Sequence, residues 1–361
     1  MSVEVPPRAE RFPAGPAAAA RRVSGTDVAR AAGVSQRTVS RVVNNFPQVS
    51  PDVRRRVQRA IEDLGYRPNS AARSLLLGRT RTIGLLTVGS TAYGPASLAL
   101  ATERAVRAAA YGLLVVNTVE LDAESVETGL SALLDQGVDA VVVNEPTSTF
   151  RSRRHDLAVP VLSLSGPLEL SATELVVASD EAGGVAAAVR HLLDLGHATV
   201  HHVGGPTEWP SARRRAQAWR AALEDAGREV PPVLTGDWSP ASGYAAGREL
   251  ARRPGVTAIF AAGDHLAFGV ARALQEAGRR VPADVSLIGF DDVPEAAFMT
   301  RALTTVRQDL VGTAARGVEI VQAIEGRLDA GALETIPTRL VLRETTGPPP
   351  TPPPVPTPAA R

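Results

Sequence analysis

The sequence predicts a small all-α head followed by a larger α/β body made of two subdomains. Three observations carry that expectation. Residues 24 to 65 break into three short helical stretches with capping residues at their starts and glycines at two of their ends. From Thr82 onward, continuous apolar runs alternate with helical stretches, which is the pattern of a parallel sheet covered on both faces. About 260 residues of that pattern are too many for one sheet, so two doubly wound subdomains are expected.

Taken in order, residues 1–22 carry Pro6, Pro7, Pro13 and Pro16 and an Ala17 to Ala20 run too short for a signal-peptide core, so they read as a disordered leader. Ser24 or Thr26 can cap the first helix, which carries Val28, Ala29 and Ala32 and ends at Gly33, where a left-handed residue costs little. Ser35 can cap the second helix, running to about Asn44. On a helical wheel Val39, Val42 and Val43 share one arc, with Gln36, Arg37, Ser40, Arg41 and Asn44 on an adjoining one. Ser50 and Pro51 start the third helix, Gly65 stops it, and Val53, Val57, Ile61 and Leu64 recur along one face. Asn69 to Leu77 follows Pro68 and is too short to hold a helix alone in water.

In the body the strand candidates are Ile83 to Val88, Leu113 to Thr118, Ala140 to Asn144, Val161 to Leu164, Leu175 to Ala178, Val200 to Gly204, Val256 to Ala261 and Val285 to Gly289. Helices are expected at Ser97 to Ala110, Glu124 to Asp135, Asp180 to Leu195, Ser211 to Ala226 and His265 to Ala277. Residues 347–361 are dominated by Pro, which favours an extended, solvated tail.

Charge divides where the pattern changes. The net charge of the chain is +1, yet residues 1–81 hold 15 Arg and 6 acids, whereas residues 82–361 hold 24 Arg and 32 acids. A basic head on an acidic body suggests a polyanion partner for the head. Every one of the 39 basic residues is Arg, so Schiff-base lysines, a P-loop lysine and lysine bases are excluded. With no Cys, so are disulfides, thiolate metal sites and cysteine nucleophiles. The six His show no zinc-protease spacing, and His201 and His202, adjacent in a strand, point to opposite faces. No nucleophile elbow, dinucleotide fingerprint or kinase signature occurs, so neither an enzyme nor a cofactor or metal site is expected. No apolar run is long enough to span a membrane.

An amphipathic helix with Gln36 and Arg37 in its first turn, preceded by a short helix and a Gly33 turn, is what a helix-turn-helix needs to place side chains in a major groove. Gln can pair with adenine and Arg with guanine through two hydrogen bonds each. A solvated helical bundle would carry similar charge, but the concentration of Arg in the head favours DNA.

These residues carry a family resemblance. Thr26 to Asn45 (TDVARAAGVSQRTVSRVVNN), Val49 to Leu75 (VSPDVRRRVQRAIEDLGYRPNSAARSL) and Gly78 to Leu86 (GRTRTIGLL) resemble the head and hinge of the lactose-repressor (LacI/GalR) family. The resemblance implies that Gln36 and Arg37 read bases, that Thr38, Ser40, Arg41 and Asn44 contact backbone or base edges, and that Ser24 and Ser35 approach phosphates. It also implies a hinge helix capped by Asn69 that folds on operator DNA, with Leu75 wedged into the minor groove. Gly25 departs from the family's usual large apolar residue, which leaves the packing at the start of the first helix open.

The resemblance continues to about Thr346 through DQGVDAVVVNEP, SARRRAQAWRAAL, GDWSPASGYAAGREL, VPADVSLIGFDDV and LTTVRQDL. It implies a periplasmic-binding-protein-like core with a ligand in the cleft between subdomains, held by Asn144, Arg215, Trp238 and Asp291. An Arg fork and an Asp can grip adjacent hydroxyls while Trp offers an apolar plate to a sugar ring. Each also has a plainer role: Asp291 beside Asp292 in a turn, Arg215 paired with an acid on a neighbouring helix, Trp238 in the core. Ser165 and Gly166 replace an Asp-Arg pair common in the family, and Gly263 stands where an Asn is frequent. The effector is then smaller or less hydroxylated than a hexose, or His265, Tyr93 or Glu145 substitutes.

The expected organisation is a leader over 1–22, a helix-turn-helix domain over 23–67, a hinge over 68–80, a two-subdomain sensing and dimerisation core over 81–346 and a tail over 347–361. The expected function is a cytoplasmic, homodimeric transcription regulator of repressor type, with an operator as one partner and a small molecule of carbohydrate type as the other. A global regulator controlled by a protein partner and an extracytoplasmic solute-binding protein are the alternatives. The second lacks its signal peptide and has a basic head it does not need.

Overall fold

In the computed structural model the chain divides into two compact units, Met1–Thr80 and Arg81–Arg361. The structure describes residues 23–44, 46–67, 78–90, 92–118, 123–144, 157, 159–167, 175–324 and 333–351. The expected leader, most of the hinge with Asn69 and Leu75, Glu145 and the end of the tail lie outside the described residues.

Local sequence explains the head. Helix α1 (Gly25–Ala32) starts at Ser24, whose hydroxyl accepts from the Asp27 N–H while the Asp27 carboxylate accepts from the Ser24 N–H, a reciprocal capping box. It ends at Gly33 with φ +62°, as expected. Helix α2 (Gln36–Val43) is capped by Ser35, which accepts from the Thr38 N–H at 3.1 Å. Helix α3 (Pro51–Asp63) has Pro at its first position, but the Ser50 side chain makes no cap hydrogen bond, so the fixed φ of Pro51 does the starting. Val28, Ala29, Ala32, Val39, Val42, Val57 and Ala60 close the core of this unit. Leu64, expected on the buried face, is exposed because it is the residue that ends α3. The space at Gly25 has an owner: a Cβ there would lie 3.2 Å from the Tyr66 hydroxyl, so the tyrosine beyond α3 covers α1 where a large residue was expected.

The second unit contains two six-stranded sheets among the described residues. The first is ordered β2-β1-β3-β4-β5-β11, from β1 (Thr82–Val88), β2 (Gly112–Thr118), β3 (Ala140–Asn144), β4 (Val161–Ser163), β5 (Leu175–Ser179) and β11 (Leu333–Ile336), all parallel. The second is ordered β7-β6-β8-β9-β10-β12, from β6 (His201–Gly204), β7 (Leu234–Thr235), β8 (Ala258–Ala261), β9 (Ser286–Asp291), β10 (Thr304–Arg307) and β12 (Arg339–Val341), parallel except where β12 meets β10. Both repeat one doubly wound order. Each therefore has a switch point, β1/β3 and β6/β8, where the crevice for a ligand opens at the carboxyl ends of the strands.

Strand alternation sorts the helices onto faces. Ile83, Leu85, Ala140 and Val142 pack with α4 (Tyr93–Ala108) and α10 (Leu310–Ile324), whereas Leu86, Val141 and Val143 pack with α5 (Ala123–Asp135). In the second sheet Val203, Ile259, Ala261 and Leu287 face α8 (Pro240–Arg252) and α9 (Asp264–Glu276). Ala258, Phe260, Ile288 and Phe290 face α6 (Glu181–Asp194) and α7 (Pro210–Asp225). The chain crosses between sheets after β5, between β10 and α10, and between β11 and β12, so the two halves share three connections. Gly347, placed in the tail by its Pro-rich context, is tied to the second sheet: its carbonyl accepts from Ser286 Oγ at 2.8 Å and lies 3.0 Å from the His197 ring.

Candidate functional site

In the head, Ser35, Gln36 and Arg37 are exposed and Thr38, Ser40, Arg41 and Asn44 half-buried along one side of α2. Their hydrogen bonds sort them. The Ser35 and Thr38 hydroxyls bond each other at 2.9 Å, Asn44 donates back to the Ser40 carbonyl, and Ser24 is held in its capping box. The side chains of Gln36, Arg37 and Arg41 make no hydrogen bond or ion pair among the described residues. The cap residues thus fix the start of α2, and three long polar side chains are left to reach outward.

In the core a cavity lies at the carboxyl ends of the strands, lined from the first half by Tyr93, Pro95, Leu98, Ser165 and Ser179 and from the second by Glu181, Trp209, Arg215, Trp238 and Asp291. Three of the four expected ligand residues, Arg215, Trp238 and Asp291, meet there. Asn144 is buried at the end of β3 but does not line the cavity, because its amide donates to the Pro95 carbonyl at 2.9 Å and holds the start of α4. Of the substitutes considered, Tyr93 and His265 line the cavity.

Arg215 is the centre of the charged wall. Its Nε donates to Glu181 at 2.8 Å, its Nη1 donates to the Ala262 carbonyl at 2.6 Å and stands 3.7 Å from Asp291, and its guanidinium lies 3.8 Å over the Phe290 ring. The plainer role, pairing with an acid on a neighbouring helix, is thus real, and it presents the guanidinium to the cavity. Arg214 donates Nε to the other oxygen of Glu181 at 2.6 Å. Asp291 accepts from Gln308 at 2.8 Å. Burial pushes its carboxyl up to about 6, against the opposing pull of Arg215 and Gln308.

Behind this wall Asp264, fully buried at the start of α9, accepts from Thr305 Oγ1 at 2.6 Å and from the Val293 N–H at 2.8 Å. Burial first, and then the charge of Asp291, push Asp264 up to about 8. Asp292, turned away from Asp291, accepts from Arg307 and Arg343. Trp238, Asp291 and Asp292 all have positive φ, +71°, +108° and +55°, which concentrates backbone strain on the cavity rim. The Trp238 indole covers Gly205 and meets Trp209 edge-on at 5.9 Å, while its buried Nε1 has no hydrogen-bond partner among the described residues. A Cβ at Gly263 would make ordinary contacts with Trp238 and Asp291, so glycine there leaves room between them.

Glu181, Gln308, Arg214 and Ser211 were missed in the sequence. The signal existed, since Glu181 lies two residues past the end of β5 and Gln308 directly follows β10, where open α/β sheets place their ligands. No group of acids and His among the described residues could hold a metal ion, and no described helix is long and apolar enough to cross a membrane.

Comparison with known proteins covers both units. Residues 26–69 match the family model described as bacterial regulatory proteins, lacI family, and residues 189–346 match a periplasmic binding protein-like domain. The chain is 34% identical to the ribose operon repressor of Escherichia coli K12 over 86% of this chain and 96% of the relative. It is 33% identical to the HTH-type transcriptional repressor PurR of Klebsiella pneumoniae over 88% and 95%. Among solved structures, a lac repressor dimer bound to operator and the anti-inducer ONPF aligns with a TM-score of 0.77 at 28% identity, covering 91% of this chain and all of that one. A lac repressor bound to ONPG aligns with a TM-score of 0.78 at 29% identity, covering 90% and 100%.

Proposed function

The chain belongs to the LacI family of bacterial regulatory proteins, and from that premise we propose how its own residues divide the work. The protein is a ligand-responsive, sequence-specific DNA-binding transcription regulator of repressor type. It acts in the cytoplasm as a homodimer on a two-fold-related operator, and binding, with no catalytic step, is its whole activity. Gln36, Arg37 and Arg41 read base edges. Ser24, Ser35, Thr38, Ser40 and Asn44 contribute backbone contacts, Ser24 from the cap of α1 and Ser35 from the cap of α2, and the hinge with Asn69 and Leu75 adds minor-groove contact. The observation that carries this reading is that the side chains of Gln36, Arg37 and Arg41 have no partner among the described residues, whereas Ser35, Thr38, Ser40 and Asn44, at the start and along the body of the same helix, are bonded to one another.

In the core, Arg215, Asp291 and Trp238 hold the effector, with Asn144 supporting α4 from behind the cavity. Arg215 and Asp291 present a donor and an acceptor 3.7 Å apart, the spacing suited to neighbouring hydroxyls on one ring, and Trp238 flanks them with an apolar face. The test is selection of bound fragments from the source genome by the full chain, with and without a panel of sugars and nucleosides. A shared pseudo-palindromic motif whose recovery changes with one compound is expected. Recovery without any shared motif would overturn sequence-specific reading.

A further inference from the structure

The amino end of α7 opens on the same cavity and is uncapped. Trp209 at the cap position offers no side-chain hydrogen bond, the next residue is Pro210, and the first turn contains no acid. The N–H groups of Ser211 and Ala212 make no hydrogen bond among the described residues, although both residues are buried at 4% exposure. The Ser211 hydroxyl, on a residue that lines the cavity, likewise has no partner among the described residues. Donors that line a cavity without an internal acceptor are available to a ligand, and a helix start concentrates positive potential.

One turn along the same face stands Arg214. Only its Nε is engaged, by Glu181, and its Nη1 and Nη2 make no hydrogen bond among the described residues. Gly166, with φ +119°, makes room for it, since a Cβ at that position would lie 3.1 Å from Nη1. Both Glu181 oxygens are occupied by Arg214 and Arg215, so the acid orients the two guanidiniums and leaves the outer fork of Arg214 facing the cavity.

We propose that this corner is an anion subsite and that the effector carries a phosphate monoester, seated on the Ser211 and Ala212 N–H groups, the Ser211 hydroxyl and the Nη1 and Nη2 of Arg214. Five donors suit the three terminal oxygens of a phosphate better than the two oxygens of a carboxylate. The hydroxyls of the same ligand then extend toward Arg215, Asp291 and Trp238. The inference rests on the effector cavity assigned above and deepens it to a sugar-phosphate class.

The test uses the full chain and its intrinsic tryptophan fluorescence, because Trp209 sits at the helix start itself. Inorganic phosphate at fixed ionic strength is titrated first, followed by matched pairs: glucose and glucose 6-phosphate, fructose and fructose 1-phosphate, ribose and ribose 5-phosphate. Phosphate alone is expected to bind saturably with a Kd of about 1–10 mM, and at least one ester to bind roughly tenfold or more tightly than its neutral parent. Arg214→Gln should weaken phosphate binding about tenfold and Ser211→Ala several-fold, with thermal melting curves of both variants recording that they fold. No saturable phosphate response, an unchanged response in Arg214→Gln, or neutral sugars binding as tightly as their esters would each overturn the inference. Binding of a neutral sugar without phosphate binding removes the subsite and leaves the effector cavity standing. Phosphate and ester binding that leaves affinity for the selected DNA unchanged keeps the subsite and removes its regulatory role.

Discussion

Asp264→Asn should remove from the stability of the core a loss of about 1.4 kcal/mol that Asp264 alone imposes between pH 7 and 9, read as the difference between wild type and variant. Burial and the charge of Asp291 outweigh the hydrogen bonds from Thr305 and Val293, which by themselves would hold the carboxyl lower. Val293 donates to one oxygen, and the other meets a Thr305 hydroxyl, which can accept a proton as readily as it donates one. A group whose folded pKa is raised contributes stability in full at low pH and loses it as pH rises through the folded value, here about 8. The occupancy of that proton falls from about nine-tenths at pH 7 to about one-tenth at pH 9, which integrates to the stated loss. Asp291, raised only to about 6, is almost fully ionised at pH 7 and adds little. His191, His197, His201 and His202 are lowered by burial, so their contribution grows as pH rises through the usual histidine range, is largely complete at pH 7, and is common to the wild type and the variant, so that the difference between the two isolates Asp264. With no Lys or Cys in the chain, the window is unusually free of other titrations. Asparagine can donate its amide to Thr305 and accept from Val293, so the variant keeps both bonds. Urea unfolding at pH 7, 8 and 9, followed by the tryptophans, all three in the second unit, measures the difference. A wild type that is flat across the window, or an Asn variant that falls with it, would refute the assignment.

Three more outcomes follow from the same structure. Arg37→Ala should lower specific operator affinity and relax preference at one base pair by about 1–3 kcal/mol, and uniform weakening on every sequence would count against base reading. Tyr66→Ala should remove the ring that covers Gly25 and cost the head about 2 kcal/mol, seen as roughly thirty-fold faster hydrogen exchange of the α1 amides; unchanged protection would mean that Gly25 needs no cover. Arg215→Ala should destabilise the core by about 3 kcal/mol, because the buried Glu181 and the Ala262 carbonyl each lose a charged partner. A loss under about 1 kcal/mol would show that Arg214 alone satisfies Glu181.

The long, strongly patterned elements were legible in the sequence, and the reason is physical. Strands such as Ala140–Asn144 are buried on both faces and read as unbroken apolar runs, and their predicted bounds agree with the structure. Strands β7, β10, β11 and β12 are two to four residues long and carry polar or charged residues such as Thr235, Arg307, Glu334 and Arg339, so no apolar run marked them and they were not recognised. Helices α8 and α10 also escaped: α8 contains Gly243 and Gly247, residues that ordinarily argue against a helix. Those glycines are there because a Cβ at either would press on the α9 backbone around Leu266 and Val270, a tertiary demand invisible to local propensity. At the cavity, the family resemblance pointed to Arg215, Trp238 and Asp291, and all three line it. Position alone could not show that the Asn144 amide turns back to Pro95, since that depends on where α4 packs.

The cavity wall is unevenly divided between the two halves of the core, and the division says what a ligand must do to be an effector. The charged residues Glu181, Arg214, Arg215 and Asp291 belong to the second half and are already bonded to one another, so that half is organised before any ligand arrives. The first half contributes Tyr93, Pro95, Leu98, Ser165 and Ser179, which supply hydroxyls and apolar surface. A ligand bound only to the charged side would have equal affinity for every relative placement of the halves and could shift nothing. Only one that also engages Tyr93 or Ser165 distinguishes one placement from another. Because coupling is reciprocal, a compound that alters DNA affinity tenfold must have its own affinity altered tenfold by DNA. Substitution of Tyr93 should therefore reduce that coupling more than it reduces binding, whereas substitution of Arg215 should reduce binding first.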